Sequence, residues 1–205
     1  MMGKGRTLGI SLLPALLWIL IQCAVVLGFP PVMSGIGNIL SLLGVDTGEF
    51  YGFLEKNGSY CIYILMDVIM LIPAVLWFRR FPVRREKKEG RFFGISFRGI
   101  LLLLLAGLCL QLLSNLFLTL VFGIFPELME SYSQVLENLG MDSPTVLSLA
   151  YTVLVAPVTE ELIFRGLTLR ILEGAFPFWA ANILQALYFG IIHGNLVQGG
   201  YAFLA

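Results

Sequence analysis

The stretch PVTEELIFRG, residues 157–166, places Glu160, Glu161 and Arg165 within six positions of an otherwise apolar run. A charge at the centre of a bilayer costs about 2.5–3.5 kcal/mol on insertion scales, so three together imply mutual pairing or chemistry. The only histidine of the chain, His193, lies in a second apolar run, FGIIH. A carboxylate short of full solvation is a credible general base near neutral pH, and an imidazole beside it can share its water or polarise a carbonyl. Glu160 and His193 are also two ligands of an incomplete metal site. A divalent metal there is the one cofactor the pattern leaves open, and no H-E-x-x-H sequence is present. Ser143 and Ser148 have no base partner at a recognisable spacing, so a serine nucleophile is not signalled.

For this chemistry two elements must be folded against each other. The segment EGAFP, residues 173–177, reads as a turn, with Gly174 suited to a helix end and Pro177 to a first helical turn. The chain midpoint between Glu160 and His193 falls between Phe176 and Pro177. An antiparallel helix pair turning there brings the two residues to one depth. Glu161 and Arg165, four apart, share a helix face and can form an ion pair. Glu160 is turned about 100° from Glu161 and is free to point toward His193. Gln185, Phe189 and His193 form one stripe, and Pro157 should disturb helix bonding just before Glu160. Broken helices at membrane depth are tolerated where they line protein or a water-filled cavity.

The rest of the chain supplies the membrane setting. Of 205 residues, 58% are hydrophobic and 13% charged, against about 25% charged in soluble domains. The expected fold class is all-α, a polytopic transmembrane helical bundle. Runs of roughly 20 apolar residues give spans at Leu8–Gly28, Tyr60–Phe78 and Gly99–Phe125. A fourth starts at Thr145–Ala156 and runs into the Glu-Glu segment, a fifth covers Phe176–Ile192, and a sixth begins at Leu196–Ala205. The first run is too long for a signal peptide, and no A-x-A site follows it. Eight of the 13 Lys and Arg lie in 79–98, a basic loop that, with Lys4 and Arg6, places the N-terminus in the cytoplasm. Loops 29–59 and 126–144 should face outward. The basic loop fits anionic lipid and not a nucleic acid. Trp18, Trp77 and Trp179 read as interfacial anchors. Asp67, inside the second span, reads as either a functional group or a hydrogen-bonded structural one. Cys23, Cys61 and Cys109 show no redox or metal spacing.

EELIFRG fits an E-E-x-x-x-R motif and FGIIH an F-x-x-x-H motif. With HGNLVQGGYAF behind them, residues 145–205 resemble the CAAX prenyl-protease-like intramembrane endopeptidases, a family that includes bacterial proteins linked to bacteriocin processing and self-immunity. The resemblance implies a bundle of about eight spans with a cavity reached from the cytoplasmic side. It implies that Glu160 activates water together with His193, that Glu161 and Arg165 are structural or substrate-positioning, and that Phe189 belongs to the second motif. It also implies a third motif, a second His with Asn or Asp four residues on, about thirty residues beyond the first. Asn195 is too close to His193 to serve in it, and the reading is of a chain ending before that motif and inactive alone. Residues 1–140 read as N-terminal spans and 141–205 as the first part of the catalytic region.

Three functions follow. The first is an intramembrane endopeptidase of the bacterial plasma membrane, acting on a membrane-associated peptide or protein. The second is a non-catalytic immunity or binding protein of the same fold. The third is a transporter or channel whose intramembrane charges line an ion path; the transporter reading predicts an internal symmetry that the sequence does not show. The bland alternatives are a structural Glu-Glu-Arg cluster and a His satisfied within the core.

Overall fold

The computed structural model describes residues 3–80, 96–138 and 144–204. Among them every regular element is helical: α1 Lys4–Leu42, α2 Gly48–Arg80, α3 Phe97–Ile124, α4 Pro126–Asn138, α5 Val146–Leu172, α6 Phe178–Ile192 and α7 Leu196–Leu204. Four of them, α1, α2, α3 and α5, are long and apolar enough to cross a membrane. The fifth expected span, α6, is real but shorter, at 15 residues. That is about 22 Å of helix at 1.5 Å per residue, less than the hydrocarbon thickness. Of the eight basic residues in the run expected to fix orientation, five lie outside the described residues, and Arg79, Arg80 and Arg98 lie within them.

Helices overrun the expected spans. Residues 29–42 and 48–59, read as an outward loop, are helical, and only a short turn at 43–47 separates α1 from α2. The loop expected at 126–144 contains α4. Hydrophobicity marks where a helix meets hydrocarbon; backbone hydrogen bonding continues wherever the next residues permit it. Pro30 and Pro31 sit inside α1, each removing one ladder bond without ending the helix. Pro14 does break the ladder, and α1 has a turn at Leu12.

The core is built around α5. Ile163, Phe164 and Leu167 are buried against Ala15 of α1 and Met70 and Ala74 of α2, with Trp18, Phe189 and Ile192 packed around them. Local chemistry starts α5 cleanly: the Thr145 hydroxyl accepts from the Ser148 N–H at 3.1 Å, and the Ser148 hydroxyl accepts from the Thr145 N–H at 2.8 Å, a reciprocal cap. The N-terminal end of α1, the C-terminal end of α2 and the 173–177 turn lie at one end of the bundle. There Lys4 sits over the Phe176 ring and Arg170 over the Phe78 ring.

Candidate active site

The disturbance expected at Pro157 takes the form of two π-helical segments in α5, Tyr151–Val155 and Glu161–Thr168. The Ala156 N–H bonds to the Tyr151 carbonyl and the Leu169 N–H to the Phe164 carbonyl, each five residues back. Pro157 accounts for the first, because its missing N–H cannot hold an α-helical ladder to Val153. The second contains no proline. Glu160 ends the short α-helical piece between them. Wide turns of this kind occur preferentially at functional sites.

The turn between α5 and α6 closes with the Phe176 N–H on the Leu172 carbonyl at 3.0 Å, and Pro177 is extended, at the N-cap of α6. Thus Pro177 sits one position outside the first helical turn expected for it, and Gly174 closes the turn without a left-handed backbone. At the far end of α6, His193 is the C-cap and Gly194 has φ of +67°, the left-handed residue that ends a helix at least cost when it is glycine. The Asn195 Oδ1 then accepts from the N–H groups of Val197 and Gln198, at 2.9 and 3.1 Å, an N-cap that starts α7. Gly190 and Gly199 let α6 and α7 approach closely: a Cβ on Gly199 would lie 2.5 Å from the Gly190 carbonyl oxygen. This approach brings Tyr201 to the site.

Glu160 and His193 line the same two cavities. One, about 350 Å³, lies among α5, α6 and α7, with Glu161, Arg165, Gln185, Phe189 and Tyr201. The other, about 400 Å³, includes three tyrosines in its wall, Tyr60 and Tyr63 of α2 and Tyr151 of α5, with Trp18, Gln22 and Gln198. The His193 Nδ1 lies 2.8 Å from the Phe189 carbonyl oxygen. That oxygen can only accept, so Nδ1 carries the proton, and a neutral ring presents Nε2 as an acceptor. Phe189 also meets the imidazole edge to face, with centroids 4.8 Å apart. It is packed in turn on Phe164, and Phe164 on Trp18. The second-motif Phe189 therefore fixes His193 twice, by backbone and by ring. Gln185, the first residue of the expected stripe, is buried and donates to Asn182 Oδ1 at 3.5 Å.

The Arg165 Nη1 and Glu161 Oε2 pair at 2.6 Å, as the four-residue spacing predicts, with both side chains about half exposed. Glu160 and His193 supply two donors. Among the described residues no group of three or more His, Cys, Asp or Glu converges, so these two do not by themselves make up a metal-binding set.

Trp18 has a partner that its expected place as an interfacial anchor did not include: its Nε1–H donates to Asp67 Oδ1 at 3.2 Å, and its ring meets Phe164 edge to face. Asp67 is fully buried, held by a neighbouring helix as one of its two readings required. Thr159 and Tyr151 come beside it without closing a hydrogen bond to Oδ2. The tyrosine-lined cavity was not foreseen. Its walls come from α1, α2, α4 and α5 as well as the motif helices, and no local spacing records that.

Residues 142–205 match the family model described as type II CAAX prenyl endopeptidase Rce1-like. No curated protein and no solved structure matches the chain. The matched segment contains both motifs, the π-helical segments and the α6–α7 hairpin, and over these residues the chain is similar to the CAAX protease-like family.

Proposed function

We propose that the protein is an intramembrane endopeptidase in which Glu160 activates water to hydrolyse a peptide bond of a membrane-associated polypeptide. The observation that carries this reading is that Glu160 and a backbone-anchored His193 line both cavities. The Glu160 carboxylate takes a proton from water as the oxygen attacks the scissile carbonyl carbon. The His193 Nε2, an acceptor in the neutral ring, orients the second proton of that water. When the C–N bond breaks, the proton held by Glu160 passes to the leaving nitrogen, giving a new carboxylate and a new amine. The Glu161–Arg165 pair lines the smaller cavity, where it positions substrate.

Glu160→Gln keeps the shape of the side chain and removes the base. General-base catalysis is worth about 10²–10⁴-fold, so in a full-length version of the protein that carries the third motif, cleavage of a lipid-anchored reporter peptide in liposomes should fall by that factor while the protein still inserts. Equal rates for Glu160→Gln and wild type would remove this mechanism and favour the non-catalytic binding reading.

A further inference from the structure

Neither of the two cavities has a residue of α3 in its wall. That helix is 28 residues long and apolar, and none of its residues is buried. Four amide or hydroxyl side chains interrupt its hydrocarbon between residues 100 and 124: Gln111, Ser114, Asn115 and Thr119. Ser114 is half-buried, as are Phe117, Leu118, Val121 and Phe122, and Phe122 and Phe117 meet Tyr132 of α4 and Gly200 of α7. Gln111, Asn115 and Thr119 are exposed. They recur every four residues, and Gln111 stands at the middle of α3, the depth at which an amide is furthest from water. Part of their hydrogen-bonding capacity is used locally. Gln111 Nε2 donates to Asn115 Oδ1 at 3.3 Å, and the Thr119 hydroxyl donates to the Asn115 carbonyl at 2.8 Å. The capacity left over is matched. Gln111 Oε1 can only accept and Asn115 Nδ2 can only donate, and among the described residues neither atom has a partner.

We propose that α3 pairs with α3 of a second copy of this chain through Gln111, Asn115 and Thr119, so that the protein is a parallel two-fold dimer in the membrane. Two copies of one sequence insert with the same orientation, so their α3 helices run the same way. A two-fold axis between them, along the membrane normal, sets each stripe against itself. Gln111 Oε1 of either copy then faces Asn115 Nδ2 of the other, and one symmetry operator closes two hydrogen bonds. The same four-residue step extends the stripe to Gly107 and Gly123. That is about 24 Å of helix at 1.5 Å per residue, against about 30 Å of hydrocarbon. A Cβ on either glycine would meet nothing within 4 Å inside the chain. These glycines make no room for a neighbour within the chain, and they let a second backbone approach from outside. Lipid tails offer the two amides neither donor nor acceptor. A partner of unrelated sequence would need the same two groups at the same step.

The test is disulfide trapping of the whole 205-residue chain in liposomes of phosphatidylethanolamine and phosphatidylglycerol, in a background of Cys23→Ala, Cys61→Ala and Cys109→Ala. Thr119→Cys, on the stripe, should oxidise to a covalent dimer, with a yield that holds as lipid dilutes the protein. Leu113→Cys, at an exposed position about 160° around the helix from Asn115, should give only the collisional yield. Energy transfer between labelled copies reads association without a crosslink. Gln111→Leu with Asn115→Leu should lower the association constant about tenfold by removing both hydrogen bonds. Both changes make a lipid-facing helix more apolar, so the variant inserts. Gly107→Ile with Gly123→Ile leaves the amides in place, blocks the close approach and should weaken association as well. None of these readouts involves peptide cleavage, so the peptidase reading stands or falls apart from them. A chain that stays monomeric, equal trapping at the two cysteine positions, or association unchanged by both pairs of substitutions would overturn the dimer. A monomer would mean that another span or another membrane protein covers the stripe.

Discussion

A buried carboxylate inside a membrane helix must find a donor, and Asp67 finds it in Trp18, 49 positions away. Trp18→Phe removes that N–H and leaves the ring. Stranding a buried acceptor costs about 1–3 kcal/mol, so the unfolding midpoint in detergent micelles should fall. Trp18→Phe with Asp67→Leu should recover most of the loss, because the double variant strands nothing. A single variant as stable as wild type would show that the bond contributes nothing. The contrast with Glu161 and Arg165 shows what a sequence reveals at this scale. Their pairing was legible because the helix itself sets the distance between residues four apart. The pairing of Trp18 with Asp67 was not, because only the docking of α1 on α2 creates it. Asn195 falls between: its role as cap to α7 needs only its own backbone and the two N–H groups that follow.

At the scale of elements, the hairpin of α6 and α7 depends on two glycines. A methyl group on Gly199 would meet backbone, the Gly190 carbonyl, and backbone cannot swing aside as a side-chain tip can. Gly199→Ala should therefore spread the helices at a cost of about 1–3 kcal/mol. Gly28→Ala, in α1 where a Cβ has open space, is the matched control. Equal unfolding midpoints for the two variants would show that the close approach is not needed. The helices themselves were legible from hydropathy, as was the 173–177 turn from Gly174 and Pro177. Their ends were not: Pro30 and Pro31 punctuate the sequence as a stop, yet α1 continues through them to Leu42. The π-helical segments were legible only in part. Pro157 announced a fault in the ladder, whereas nothing in ELIFRGLT announces the wider turn that follows Glu160.

Across the whole molecule, the core that holds α5 is made jointly by distant parts of the chain. Ala15, Met70 and Ala74 come from the first 80 residues, and Ile163, Phe164 and Leu167 from the family segment. No residue of α3 is buried, and its Phe117 touches α7 at Gly200. The consequence is that the peptide link between α2 and α3 is not what unites the halves. Two separately encoded fragments, residues 1–90 and 91–205, should reassemble when made in one cell, each acting as the other's chaperone. A tag on the first should retrieve the second from mild detergent in near-equal amount, and each fragment made alone should be degraded. Fragments that insert but never copurify would show that covalent continuity, and not the shared core, keeps α5 in place.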